Sequence, residues 1–341
     1  MRVNIFMLSA ENNNLKDVLR HMHRGIIAFY SRELLNVELN DQNYIHTQRM
    51  LKKQDINVTA MYAEKFKECD VAVQFGSAKA REALHHVVKT DIKENAKNIF
   101  YIETPLLGRV ISNKHQYEFY RLGVNGFLYG EGEFNNENSP PDRWEMLKSI
   151  YGYNDFNGWK DHTAGPILLL AQLPGDASLR TQDMAEWISE TVHKIREQTD
   201  REIVIRLHPA MSAKGRTALI GDLWEMILSN IENVRFSNPT VSLRKDLDEA
   251  SICVSYTSGS SIDAILAGVP CIACDEGNFA WPISSKTVDD INDPYLASKE
   301  EVQQWLYDLS YCQWSIDEIK DGTAWAHYNS LIEVESTWEN R

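Results

Sequence analysis

At 341 residues, 43% hydrophobic and 25% charged, the chain has the length for two cored domains and the composition of a soluble globular protein. A net charge of −14 argues against a protein wrapped in nucleic acid, although it leaves room for a local basic groove. No apolar run approaches the roughly 18 residues of a membrane span, and MRVNIFMLSAENNN is too short and polar for a signal peptide. Five scattered cysteines, an odd number, point to reduced thiols and a cytoplasmic setting.

Val3–Leu8 reads as the first core strand, with Ser9–Asn14 as its exit loop. Arg20-His-Met-His-Arg24 is the most basic short cluster near the amino terminus, with Lys52-Lys53 and Lys79–Arg81 beyond it. Each reads either as a solvated helix face or as a phosphate contact. Apolar spacing predicts helices over Gly25–Leu35 and Gln48–Lys53. Cys69–Phe75 is a buried strand running into Gly76-Ser77 and a helix over Lys79–Val88. Asn98–Glu103 is a third strand, ended by Thr104-Pro105. This alternation predicts parallel βαβ units and a doubly wound domain.

From Gly108 to Trp159 the texture changes, with Tyr117, Phe119, Tyr120, Phe127, Tyr129, Phe134, Trp144 and further aromatics set among Gly, Asn and Pro. Asn135–Pro141 is an exposed loop by composition. Aromatic-rich loops stack sugars or bases, or they pack beneath an interdomain connection, and composition leaves both readings open.

Pro166–Gln172 starts a second domain, followed by the loop Leu173–Ser178 and an amphipathic helix over Thr181–Gln198. Asp176 and Ser178 are natural caps for that helix. Glu202–Pro209 is a strand that delivers Arg206 and His208 to its carboxyl end, the edge at which open α/β sheets bind ligands. A helix near Ala218–Ser229 and a short strand at Val234–Phe236 follow. Ser251–Tyr256 is then a buried strand, Ser260–Ala267 a helix and Val269–Cys274 a second buried strand. Thr257, Ser258, Gly259, Ser260 and Ser261 crowd the point where strand becomes helix. Unpaired amides and partial positive charge at such a point favour an anion; the plainer reading makes Ser258 or Ser260 an N-cap. Gly268 and Pro270 stop the helix. Cys271-x-x-Cys274 lies in an apolar strand with no second ligand pair nearby and reads as core. Asp289-Asp290 reads as surface charge, and Val302–Leu309, Ile316–Ile319 and Trp325–Ile332 as helices.

Arg206-Leu-His-Pro209 followed by SYTSGSSIDAILAGVP over Ser255–Pro270 resembles the carboxyl-terminal half of GT-B glycosyltransferases. The similarity is to the capsule-polysaccharide and sialyl- or Kdo-transferase branch, with its His-Pro and Ser-rich motifs, and it covers roughly residues 165–280. It implies an α/β chain of two Rossmann-like doubly wound domains facing a cleft. Residues 1–160 would take the acceptor and 161–310 the nucleotide-sugar donor, with the helices of 311–341 crossing back onto the first domain. It also implies transfer of a sugar to a hydroxyl from a CMP-sugar in preference to a UDP-sugar. No DxD-like motif stands at a convincing strand end, which predicts that the transfer needs no metal or other cofactor.

By position, His208 would contact the donor phosphate or nucleotide, and Ser258, Gly259, Ser260 and Ser261 the phosphate. Arg206 would add positive charge, Gly175, Asp176 and Ser178 lie where the donor approaches, and Asp275-Glu276 would reach its ribose or sugar. Many relatives carry Glu where Asp263 stands. Glu103, Glu11 and, on the donor side, Asp176 are the candidate catalytic carboxylates, with loop capping as the plainer role of each.

The phrasing from LAQLPGDASL to TDREIVIRLHP, with the tail YCQWSIDEIKDGTAWAHY, is similar to bacteriophage-encoded glycosyltransferases. Some of those modify 5-hydroxymethylcytosine in double-stranded DNA. That resemblance implies a host-cytoplasmic enzyme with Arg20, Arg24, Lys52 and Lys79 on phosphates and an aromatic from 117–159 supporting the base. The acidic charge counts against it. A polysaccharide or small-molecule acceptor, a nucleotide-sugar 2-epimerase and a silent nucleotide-binding module on the same scaffold stay open.

Overall fold

The computed structural model describes residues 1–8, 11–63, 65–77, 84–108, 118–212, 216–238 and 241–332. In chain order the first elements are β1 (Arg2–Met7), α1 (Asn13–Leu35), α2 (Tyr44–Lys53), β2 (Asn57–Tyr62), β3 (Val71–Phe75), α3 (Leu84–Asn95), β4 (Asn98–Glu103), β5 (Phe119–Val124) and α4 (Asp142–Tyr151). Then come β6 (Ile167–Leu170), α5 (Met184–Arg196), β7 (Ile203–Arg206), α6 (Pro209–Ser212), α7 (Arg216–Leu228), β8 (Val234–Phe236), α8 (Leu243–Glu249), β9 (Ile252–Ser255), α9 (Ser260–Leu266) and β10 (Cys271–Ala273). The chain closes with α10 (Lys299–Ser310), β11 (Gln313–Ser315), α11 (Ile316–Asp321) and α12 (Thr323–Tyr328). They gather into two compact units: Met1–Phe127, Glu131–Glu137 and Tyr311–Arg341 in unit 1, Leu128–Gly130 and Asn138–Ser310 in unit 2. No helix among the described residues is long and apolar enough to cross a membrane.

Unit 1 is a six-stranded sheet in the order β11-β5-β4-β3-β1-β2. β1 to β4 run parallel, whereas β5 lies antiparallel to β4, and β11 antiparallel to β5. β1 to β4 are the parallel units the alternation implied, and β5 and β11 add an antiparallel edge to them. The segment read as aromatic loop contributes a strand, and β11 arrives from the far end of the chain. Residues alternate across the sheet. Val3, Ile5, Val71, Val73, Phe100, Ile102, Tyr120 and Leu122 share one core with α1 and with Trp314, Ile319, Trp325 and Tyr328 of the closing segment. β1 to β2 and β3 to β4 step in opposite directions, so right-handed crossovers put α1 and α3 on opposite faces.

α1 starts well before the predicted Gly25. Asn12 caps it by accepting from Leu15 N at 3.1 Å, and Asn36, in the left-handed region at φ 51°, ends it. The polar run Asn13-Asn14 is the first turn of a helix rather than loop, because Val18, Leu19, Met22 and Ile26 already form its buried stripe. The start of the predicted Lys79–Val88 helix lies outside the described residues.

Unit 2 is a five-stranded, wholly parallel sheet in the order β10-β9-β6-β7-β8. Its four-residue strands β6 and β9 are buried throughout, as a sheet covered on both faces requires. Trp187, Ile188, Val192, Ile195, Trp224 and Leu228 of α5 and α7 pack against Ile167, Leu169, Ile203, Ile205, Ile252 and Val254. Numbered within the unit, the order is 3-2-1-4-5 read from β8, the doubly wound Rossmann arrangement. Gly268 follows α9 at φ 74°, where an L side chain is strained, and this ends the helix where the Gly-Pro spacing placed its stop.

The stretch rich in aromatics is mostly core. Phe119, Tyr120, Phe127, Phe134, Trp144, Tyr151 and Phe156 are buried, which overturns the stacking-platform reading for those seven; Tyr117 lies outside the described residues.

Candidate functional site

In a sheet of order 3-2-1-4-5 the chain leaves the first strand to one side and returns on the other, opening a crevice at the carboxyl ends of strands 1 and 4. Here those strands are β6 and β9, paired with Leu170 opposite Ser255, while β7 flanks β6 on its other side with Arg206 opposite Leu170. All strands run parallel, so the loops after β6, β7, β9 and β10 emerge at one edge. The His208 loop and the Ser-rich turn therefore flank the same strand at the same end of the sheet.

Gln172, which carried no sequence signal, ties this edge together. Its Nε2 donates to Thr257 Oγ1 and to Ser178 Oγ, both at 3.0 Å, and its Oε1 accepts from Thr257 N at 2.9 Å. Thr257 Oγ1 in turn donates to Ser178 O at 3.0 Å. Asp176 caps the short 3-10 turn Ala177–Leu179, accepting from Ser178 N and Ser178 Oγ at 3.1 Å each, and Gly175 precedes it at φ 71°. The sequence offered Asp176 or Ser178 as the cap of the long helix that follows, but Asp183 caps α5, accepting from Ala185 N and Glu186 N. Asp176 caps only the short turn, and Ser178 is the donor to it.

The Ser-rich turn closes partly on itself. Ser258 Oγ accepts from Ser260 N at 3.3 Å and Ser258 O from Ser261 N at 3.2 Å. Ser261 is fully buried, its hydroxyl 2.6 Å from Ser258 O and 2.7 Å from Asn278 Oδ1. Asn278 also donates to Ser255 Oγ and Tyr256 O, both at 2.9 Å, so it staples the turn to the loop after β10. Among the described residues, the amides of Ser258 and Gly259 and the Ser260 hydroxyl are not used in these bonds. That is a smaller donor set than five small residues suggested.

At the end of β7, His208 Nδ1 accepts from Ala210 N at 3.2 Å, so the neutral ring carries its proton on Nε2. Pro209 is the first residue of α6, where its missing N–H costs nothing. Arg206 turns elsewhere. Its Nη1 donates to Asp246 Oδ2 at 2.5 Å and to Val241 O at 3.1 Å, and Ser237 Oγ donates to the same carboxylate oxygen at 2.6 Å. It holds α8 to the sheet.

A second cation without a sequence signal is Arg180. Its backbone sits at φ 54° and ψ −110°, a strained combination for a residue with a Cβ, and Nη1 donates to Asp275 Oδ1 at 2.6 Å. Gly277 N donates to the same oxygen at 2.8 Å, and a Cβ on Gly277 would stand 3.0 Å from Arg180 Nη2. Burial and the adjacent Asp275 carboxylate push the Tyr256 hydroxyl up to about 12, keeping it a neutral donor. Glu276, which follows Asp275, is exposed. Cys271 is buried and Cys274 nearly so, with burial pushing the Cys274 thiol up to about 12, and all five cysteines are free.

Unit 1 carries the other candidates. Glu103 Oε2 accepts from Thr104 N at 2.9 Å and lies 3.9 Å from Arg121 Nη2. Glu11 Oε2 accepts from Leu8 N at 2.9 Å, and burial raises its pKa. Arg20 pairs with Asp17 at 2.5 Å and Arg24 with Asp41 at 2.9 Å; Lys52 sits exposed in the last turn of α2, and Lys79 lies outside the described residues.

The chain matches no protein-family model and no curated protein. Among solved structures it is similar to the β-Kdo 2,7-transferase of Thermosulfurimonas dismutans KpsC, at 11% identity over 96% of this chain and 99% of that one, with a TM-score of 0.46. The β-Kdo 2,4-transferase of the same KpsC is similar at 13% identity over 67% and 78%, with a TM-score of 0.42. A UDP-GlcNAc 2-epimerase from Methanocaldococcus jannaschii is similar at 14% identity over 97% and 100%, with a TM-score of 0.31. Likenesses of this size carry no functional weight, and the site stands on its own geometry.

Proposed function

We propose that the chain is a glycosyltransferase that takes a sugar from a nucleotide donor bound at the carboxyl edge of unit 2 and passes it to a hydroxyl. The supporting observation is the placement of the His208 loop and the Ser-rich turn on either side of β6 at the switch point of a wholly parallel sheet. As the bond to the leaving phosphate breaks, negative charge grows on its oxygens. His208 Nε2–H, the Ser258 and Gly259 amides and the Ser260 hydroxyl supply fixed donors, while Arg180 is paired with Asp275 and shapes the loop beside them. The proposed transfer needs no metal, because these groups meet the charge. CMP-sugars are the first donors to try, then UDP-sugars.

The acceptor hydroxyl must lose a proton. Of the two carboxylates in unit 1, Glu11 suits the task better: its raised pKa moves it toward the range of a general base at neutral pH, while Glu103 is engaged by Thr104 and Arg121. A net charge of −14, with Arg20 and Arg24 each held by a neighbouring acid, favours a glycan or small-molecule acceptor over duplex DNA.

The test is a thermal-shift screen of CMP-, UDP- and GDP-sugars, since a ligand of the native state raises its stability. Product analysis then compares sugar acceptors, hydroxymethylated duplex DNA and no acceptor. Epimerised donor without transfer would replace this reading with the epimerase. His208→Ala should lower turnover by about 100-fold, the scale for losing one donor to a developing anion, with the fold retained by circular dichroism. A chelator should leave turnover unchanged.

A further inference from the structure

Lys89 is a lysine that the fold buries. It lies on α3 with only 7% of its surface exposed, where a strongly hydrated ammonium is costly unless it has partners. Its Nζ donates to Phe75 O at 2.5 Å, at the carboxyl end of β3, and stands 3.9 Å from Glu11 Oε1. A Cβ built on the next residue, Gly76, would stand 3.5 Å from this Nζ and 3.0 Å from Glu103 Oε1, so the ammonium and both carboxylates gather over one turn. Glu11 is fixed through one oxygen only. Oε2 takes the Leu8 amide, whereas Oε1 is buried and has no hydrogen-bond donor among the described residues.

We infer that Lys89 is a positioning residue for the acceptor chemistry, keeping the Glu11 carboxylate ionised and oriented to take the acceptor's proton. This rests on the transferase reading for the identity of that proton, but the coupling between Lys89 and Glu11 does not. The groups facing Glu11 are Lys89 from α3, Lys16 from α1 and the Leu8 amide from the loop after β1, with Glu103 from β4 over the same Gly76 turn as Lys89. Burial favours the protonated form of Glu11, and Lys89 and Lys16 oppose it. Without the Lys89 charge, burial acts with less opposition. The carboxyl then holds its proton to higher pH, and the pH at which it becomes able to accept one rises with it.

The experiment is a carbon-detected NMR titration of the Glu11 carboxyl in the full chain, assigned by its loss in E11Q. It is run on wild type, K89M, K89Q and K89R. In K89M the midpoint should rise by about one unit or more, the usual effect of removing an opposite charge at this range, and K89R should restore it. K89Q carries the same measurement if K89M does not fold. An unchanged midpoint in a folded neutral variant overturns the coupling. The acid limb of the kcat/KM profile for transfer should move with the midpoint and return in K89R. A midpoint that moves while the limb stays removes Glu11 as the proton acceptor and Lys89 from the chemistry. If the wild type transfers no sugar, the proposed function and the catalytic part of this inference fall together, while the titration still reads the ion pair separately.

Discussion

Gln172 shows how much a single side chain decides at the unit 2 edge. It is nearly buried and makes three short hydrogen bonds that lock the loops after β6 and β9 together. Gln172→Leu keeps the volume but strands Thr257 N. The cost should be about 1–3 kcal/mol of stability in urea unfolding, with weaker nucleotide binding beside it. At Glu11 the sign is the reverse. Its folded pKa is raised, so the residue favours folding at low pH, and that contribution is lost as pH rises through the folded value. Glu11→Gln should therefore unfold at a higher temperature than wild type at pH 7 to 8. The gain should vanish near pH 4, where both side chains are neutral, and a melting-temperature series across pH checks it.

Among the elements, α1 and α11 approach closely enough to exclude a side chain. A Cβ on Gly25 of α1 would collide with the Ile319 carbonyl, and one on Gly322, at φ 89°, with the Gly25 carbonyl. Gly25→Ala should cost about 1–3 kcal/mol in denaturant unfolding through forced separation of the two helices, despite the better helix propensity of alanine. α9 teaches a different lesson. Its first turn spends Ser258 and Ser261 on internal bonds to the turn and to Asn278, so rigidity there is obtained by using donors that a ligand would otherwise meet.

For the whole molecule, the chain path is what matters. Residues 311 onward return to unit 1, adding β11 at the sheet edge and Trp314, Ile319, Trp325 and Tyr328 to its core. Tyr328 Oη donates to Leu122 O at 3.0 Å, so the return is bonded as well as packed. A chain ending at Ser310 should lose the cooperative unfolding of unit 1 and expose it to limited proteolysis, while unit 2, complete without that segment, stays protected. Fragments mapped by mass spectrometry would show this, and equal protection of both units would make the closing helices dispensable.

Within each strand-and-turn motif the sequence was sufficient. Apolar runs bounded by Gly, Pro and small residues located β3, β4, β6, β7, β8, β9 and β10, and the His-Pro and Ser-rich turns declared which strand ends were unusual, because those signals are local. The sequence was silent where partners are distant. β5 and β11 pair antiparallel across almost two hundred residues of chain, and no local pattern announces an edge closed from the far terminus. Arg206 looked like a ligand contact and is committed to Asp246, while Arg180 and Gln172 looked ordinary and tie the loops of that edge together, Arg180 through Asp275 and Gln172 through Thr257 and Ser178. Lys89 sits in a helix where a lysine ordinarily faces water. Propensity and periodicity report a residue's own neighbourhood, whereas burial and charge pairing are set by which strands the fold brings side by side.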